Sequence, residues 1–242
     1  MRLVLGILFL MFFNSSEAQI INASSPYRGV AAAGGSYPDT VAKFNFSYTA
    51  NSVSGFVNLA GDPNTSTGGA IRSGTAASGI TCSSVAADDA TWQDNGVAAA
   101  GSYDETVPNG AFPVNVSKQF FFHNSTTYPT GGNIKLSNLV VGATYEIHVL
   151  SNRGESTDNR LTKIACIDNG GTESITDINS APSSTSVTST RSQVTSAGTV
   201  YFFKNKTPNG SGEISFQVAA ASGWSYGYIN GIIVIRTKKK KN

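Results

Sequence analysis

Apolar and polar residues alternate in several stretches of this chain. Ala42, Phe44, Phe46 and Tyr48 fall on one side of a period-two pattern, with Lys43, Asn45 and Ser47 on the other. Tyr145, Ile147 and Val149 oppose Thr144, Glu146 and His148, and Ile214, Phe216 and Val218 oppose Glu213, Ser215 and Gln217. Successive side chains of an extended strand point to opposite faces, so each stretch predicts a half-buried antiparallel strand. Phe120 to Phe122, Val200 to Phe203 and Ile232 to Ile235 are apolar throughout and predict central or doubly covered strands. No window of helical period competes. Between the strands lie Pro-Asn-Gly at Pro108 and Pro208, Thr130-Gly131-Gly132 and Asp168-Asn169-Gly170-Gly171, turn signals because Asn and Gly accept positive φ. Residues 178–195 are dense in Ser and Thr and read as a long exposed connection.

Many strands, punctuated by turns and without helix, predict an all-β fold: an antiparallel β-sandwich of jelly-roll type. A closed barrel suits the long, unevenly spaced loops less well. The sandwich is expected over residues 40–236, after an N-terminal arm at 19–39 and before a basic tail at 237–242.

The first residues set the compartment. Arg2 precedes an unbroken apolar run from Leu3 to Phe13, then Asn14-Ser15-Ser16-Glu17-Ala18, the layout of a secretory signal peptide over residues 1–18 with cleavage after Ala18. The run is shorter than the roughly 20 residues a membrane span needs, so the mature chain is expected to be secreted or held at the cell surface, with no stable membrane span. Charged residues make up 13% of the chain and the net charge is +2. Lys238 to Lys241 supply that excess, and without them the balance is negative, so no basic face for nucleic acid is expected. The lysine run reads as a solvated end, with contact to an acidic polymer or envelope as the minor alternative. Cys82 and Cys166 are the two cysteines. In an oxidising compartment they allow one disulfide, and two buried thiols explain them equally well.

Several motifs carry chemistry on paper. Gly223-Trp224-Ser225-Tyr226-Gly227 matches the G-x-S-x-G nucleophile elbow. An elbow needs a helix directly after the serine, whereas Ile229 to Ile235 is strand-like, and both His123 and His148 precede Ser225 rather than follow it. Glycosidase chemistry needs two carboxyl groups facing each other across a bond, but Asp88-Asp89 and Asp104-Glu105 are sequence neighbours that a strand would send to opposite faces. Those four residues are weak candidates for a structural calcium, with solvated loops as the default. The two histidines have no second His or Cys nearby and read as structural or exposed. Asparagine sequons at Asn45, Asn64, Asn115, Asn124, Asn205 and Asn209 matter only in a host that glycosylates them.

Aromatic residues in loops remain. Trp92 and Trp224 both sit in loop-like settings, the latter among glycines. The C–H face of a sugar stacks on Trp or Tyr, and its hydroxyls suit Asn and Arg forks. Ser151-Asn152-Arg153 and Asp158-Asn159-Arg160 supply such forks. The competing reading for Trp92 is a core plug, since Trp is highly buried on average.

The order of segments resembles a known family. Val57-Asn58-Leu59-Ala60-Gly61-Asp62-Pro63, Leu139-Val140-Val141-Gly142-Ala143-Thr144-Tyr145-Glu146-Ile147, Ser151-Asn152-Arg153 and Tyr226-Gly227-Tyr228-Ile229-Asn230-Gly231-Ile232 resemble the galactose-binding-like jelly rolls appended to secreted bacterial surface proteins. The resemblance implies a carbohydrate-binding module, often with a structural calcium. It also implies that Trp224, Tyr226 and Asn230, around the last strand, face the sugar. The expected function is therefore non-catalytic binding of a glycan or polysaccharide through Trp224, Tyr226, Asn230, Asn152, Arg153, Arg160 and Trp92. The rival is a structural or adhesive subunit that meets surface-protein partners or self-assembles.

Overall fold

The computed structural model describes residues 39–47, 53–59, 70–85, 92–94, 112–117, 120–124, 131–151, 161–179, 188–189, 192–195, 198–221 and 225–237. The leader, nearly all of the arm and the lysine run lie outside them. Along the chain the elements are β1 (Asp39–Phe46), β2 (Val57–Leu59), β3 (Gly74–Thr75), β4 (Thr81–Ser84), β5 (Trp92–Asp94), α1 (Val114–Ser117), β6 (Phe121–Asn124), β7 (Gly132–Ser137) and β8 (Thr144–Ser151). They continue with β9 (Leu161–Asp168), β10 (Gly171–Asn179), β11 (Thr188–Ser189), β12 (Ser192–Thr195), β13 (Gly198–Lys206), β14 (Ile214–Ala220), β15 (Tyr226–Ile229) and β16 (Gly231–Thr237). Among the described residues no helix is long and apolar enough to cross a membrane.

One sheet runs β11-β12-β13-β8-β16-β1-β2, a second runs β10-β9-β14-β7-β4-β3, and a small third sheet runs β15-β6-β5. Neighbours are antiparallel except β1 and β2, which are parallel. The long strands β1, β7, β8, β9, β10, β13, β14 and β16 define the connectivity. In the first sheet β1 lies beside β16, then β8 and β13; in the second β7 lies beside β14, then β9 and β10. The chain thus crosses between the sheets repeatedly and returns its last strand to the side of its first, which is the jelly roll.

The alternating residues of both sheets meet in one core. Phe44, Phe46, Tyr145, Ile147, Val149, Phe203, Ile232 and Val234 face Ile134, Leu136, Ile164, Ile214, Phe216 and Val218, all fully buried. Phe203 and Phe216 pack across the gap with ring centroids 5.7 Å apart. Each such side chain contributes about 1.5–3 kcal/mol on burial. At the sheet margins, Lys206 Nζ on β13 reaches Glu173 Oε2 on β10 at 2.7 Å. Burial works against the Lys206 charge, but the hydrogen bond to Glu173 together with the attraction of the nearby Asp168 and Glu173 charges outweighs it and holds the amine above its ordinary value of 10.5.

The structure corrects the expectation that β1 and β8 are half-exposed. Asn45, Ser47, His148 and Leu150, on the supposedly open face, are buried. A second apolar layer covers them: Val53, Phe112 and Val116 pack on Leu150, Val200, Phe202 and Ile233. Part of this layer is the one-turn helix α1, where no helix was expected. Beneath it, the Asn45 amide donates to Asn58 Oδ1 at 2.8 Å. His148 Nε2 meets Glu146 Oε1 at 2.8 Å, with its ring edge-on to Phe202. The 178–195 stretch is likewise no plain connection, since the end of β10, β11 and β12 lie within it.

Cys82 and Cys166 are free, buried thiols. They lie on β4 and β9, with β7 and β14 between them. Three strand spacings separate them by about 14 Å, against the roughly 4.4–6.8 Å between Cα atoms that a disulfide spans. The bridge is therefore excluded by the fold, and burial pushes both thiols up, away from the reactive thiolate.

Candidate functional site

The connections between long strands divide between the two ends of the sandwich. Those joining β7 to β8, β9 to β10 and β13 to β14 are short and lie at one end. Those joining β1 to β7, β8 to β9, β10 to β13 and β14 to β16 begin and finish at the other. The third sheet is built there, with β5 and β6 drawn from the first of these long connections and β15 from the last.

The third sheet has an inner and an outer face. Tyr226 pairs with Asn124, Gly227 with His123, Tyr228 with Phe122 and Ile229 with Phe121, so residues alternate between the faces. The inner face carries Phe121, His123, Gly227 and Ile229. Trp92 joins it, since Trp92 pairs with His123 and the two rings meet edge-on at 5.6 Å. This face lies directly on the sandwich. A Cβ at Gly227 would stand 2.4 Å from the Ala219 carbonyl oxygen, and one at Gly132 would stand 2.6 Å from both the Trp92 indole and the His123 ring. The Tyr228 amide donates to Thr162 Oγ1 at 3.2 Å, and the Tyr201 hydroxyl to the Thr162 carbonyl at 2.9 Å. These contacts tie β15 to the start of β9 and β13.

The outer face is a strip of four rings. Phe122 stands 5.5 Å from Tyr226 at an interplanar angle of 79°, and 6.1 Å from Tyr228 at 37°. Phe120 stands 5.3 Å from Tyr228, edge-on. Phe120 and Tyr228 are buried, whereas Phe122, Tyr226 and Asn124 are half-buried. The strip is thus closed at one end and open at the other, where two rings and an amide share a rim without a charged neighbour on either paired strand.

These positions bear directly on the residues singled out from sequence. Tyr226 keeps an accessible ring but lies on a strand, not in a flexible loop. Trp92 is also on a strand, and at 2% exposure it is the core plug rather than a stacking platform. Asn230 sits just before the last strand as anticipated, but its side chain is fully buried. Its backbone links β1 and β8, donating to the Leu150 carbonyl at 2.9 Å and accepting from the Phe46 amide at 2.8 Å. Trp224, Asn152, Arg153, Arg160 and the calcium candidates Asp88, Asp89, Asp104 and Glu105 lie outside the described residues. The residues that flank the Arg and Asn forks, Ser151 and Thr162, do belong to the same end as Tyr226. Ser225 is followed at once by β15, so the helix of a nucleophile elbow is replaced by a strand.

Phe122 and Asn124 were not anticipated as surface residues. The triple phenylalanine hid Phe122, because a run apolar at every position reads as covered on both faces. The available signal was the switch to polar residues at His123 and Asn124, which marks β6 as the end of a sheet.

No protein-family model and no curated protein matches this chain. Among solved structures, the CBM22-1 xylan-binding domain of Xyn10C from Paenibacillus barcinonensis is similar at a TM-score of 0.34 and 10% identity, covering 85% of this chain and 99% of that domain.

Proposed function

We propose that this protein is an exported, non-catalytic carbohydrate-binding module, acting outside the cell or at its surface. It takes a glycan at the end of the jelly roll where the long connections gather. The observation that carries the reading is the aromatic strip on the outer face of the third sheet, open at Tyr226 and Phe122. A ring with one wet face offers a sugar an apolar stacking surface, and neighbouring amides and guanidinium groups satisfy its hydroxyls. Trp224, Asn152, Arg153 and Arg160 are proposed to complete the site around that strip. Trp92 and Asn230 support it from within. A structural calcium at Asp88, Asp89, Asp104 or Glu105 remains part of the proposal, tested by the change in thermal midpoint on adding a chelator.

Affinity-gel electrophoresis through immobilised polysaccharides tests the reading. Retardation is expected for the native chain and lost for Tyr226→Ala and Trp224→Ala, with unchanged circular dichroism. Unretarded migration in every polysaccharide, together with no signal on a glycan array, would reject it.

A second reading, a subunit that meets protein partners, is favoured by one feature. Val140 and Val141 are 49% and 58% exposed at the opposite end of the sandwich, where a turn ordinarily carries polar residues. Self-association in chromatography that disappears in a Val140→Ser, Val141→Ser double variant is the result this reading requires.

A further inference from the structure

We infer that Gly231 is a positioning residue for the aromatic strip: the one-turn helix α1 seats on it and so fixes where β6 begins. The inference rests on the glycan-binding reading and identifies what holds the proposed binding face in place. Gly231 opens β16 and pairs with Asn45 and Leu150, so it belongs to the face of the first sheet that the second layer covers. A Cβ there would stand 2.7 Å from Val116 Cγ1 and 2.9 Å from Phe112 Cε1. The second layer therefore rests on bare backbone at this point. Phe112 also meets the Phe56 ring, with centroids 6.4 Å apart. Asn58, two residues on, accepts from the Asn45 side-chain amide at 2.8 Å and from the Val53 backbone amide at 3.2 Å. The layer is thus pinned to β1 as well as seated on β16.

From α1 the chain runs directly to the strip. Three Cα–Cα steps lead from Ser117 to Phe120, a reach of about 11 Å at most. Phe120 stands edge-on to Tyr228 at 5.3 Å, and Phe122 lies 6.1 Å from the same ring. Tyr228 in turn precedes Gly231 by three residues. Seat, tether and ring contact form a closed circuit, from Gly231 to Val116, along the chain to Phe120, across to Tyr228 and back to Gly231. A side chain at 231 pushes α1 outward, and so short a tether passes the displacement to Phe120 and on to Phe122. By contrast, β4 and β10 are held in the second sheet by their pairing with β7 and β9.

Amide hydrogen exchange on the full chain, read strand by strand, tests this. Gly231→Ala is expected to speed exchange in β6 and β15 about tenfold more than in β4 and β10. Val116→Ala alone empties the same contact and should speed β6 about threefold, which reads the inference even where Gly231→Ala folds too poorly to measure. In the double variant the new methyl occupies the space that Val116 gives up, and β6 should return to within about twofold of its native rate. In a polysaccharide gel that retards the native chain, Gly231→Ala should lose most of its retardation and the double variant should regain it. Equal acceleration in all four strands would mark Gly231 as a general packing residue and overturn the inference. So would β6 exchange at the native rate in the single variants, or a double variant that recovers nothing. Faster β6 exchange with full retardation would overturn it too, because the strip would then bind without its seat. A native chain that no polysaccharide retards defeats the glycan-binding reading instead, while the exchange pattern still decides whether Gly231 holds β6.

Discussion

The two ends of the sandwich are built on opposite principles. At one end the connections are short and stitched to one another. The Leu139 amide donates to the Gly212 carbonyl and the Asn169 amide to the Thr207 carbonyl, both at 2.9 Å, while the Thr207 amide returns a bond to Asp168 Oδ2 at 3.0 Å. Within those turns, Val140 donates to the Tyr145 hydroxyl, and Asn209 Oδ1 accepts from the Ser211 and Glu213 amides. At the other end the connections are long, and packing replaces stitching: rings on glycines, a small sheet laid on two large ones. The stitched end leaves little room for a ligand, because its polar groups already have partners. The packed end sets the half-buried rings of Phe122 and Tyr226 side by side on one face, and long connections of that kind are where binding is expected.

Substitutions can break or sharpen this contrast. The largest effect is expected from Gly212→Ala at the stitched end. Gly212 has φ of +74°, and a Cβ there would lie 2.6 Å from the Leu139 carbonyl oxygen. Strain and collision together should cost about 3 kcal/mol in urea unfolding, with ligand binding retained at temperatures where the variant is folded. Gly227→Ala should behave oppositely. Its Cβ collides with the Ala219 backbone and lifts β15, so glycan binding falls about tenfold while the unfolding midpoint moves less than for Gly212→Ala. Equal losses of stability in the two variants would erase the contrast. Next in size, Asn209→Ala removes an acceptor for two backbone amides and should cost about 1 kcal/mol, leaving binding unchanged.

The smallest effect belongs to Glu146, near the stitched end of β8. The hydrogen bond from His148, opposed by burial, holds its carboxyl below the ordinary value of 4.5. A depressed folded-state pKa contributes stability that is fully present above the ordinary value and is lost as pH falls below 4.5 through the lowered value. Glu146→Gln cannot titrate. The variant should lose about 1 kcal/mol or less at neutral pH and show a flatter decline of thermal midpoint between about pH 5 and pH 3.

The sandwich itself was legible in the sequence, and the end that carries the site only in part. Period-two patterns around Phe44, Ile147 and Phe216 reported strand faces directly, because the pattern and the burial share a cause. The second layer over β1 and β8 was not legible: Phe112 and Val116 come from an aperiodic stretch far along the chain, and nothing local to Asn45 or His148 announces them. The same applies to Trp92. Its neighbours suggest a loop, but its burial depends on Gly132, some forty residues away, leaving space for the indole. The cysteines make a third case. Each sits visibly in a strand-like run, yet whether they meet depends on strand order, which no spacing encodes. Tyr226 was singled out for its aromatic company, whereas its partner Phe122 could be found only once β6 was laid beside β15.

The pairing of the first long strand with the last has a practical outcome. Asp39 lies opposite Arg236 and Thr237 opposite Thr144, so the polypeptide enters and leaves the jelly roll beside the stitched turns. The strands between measure roughly 25 Å at eight residues each. A fluorophore or bead attached at Thr237, where the last strand ends, is therefore held at the far pole from Tyr226. Immobilisation through that position should leave the aromatic strip pointing outward.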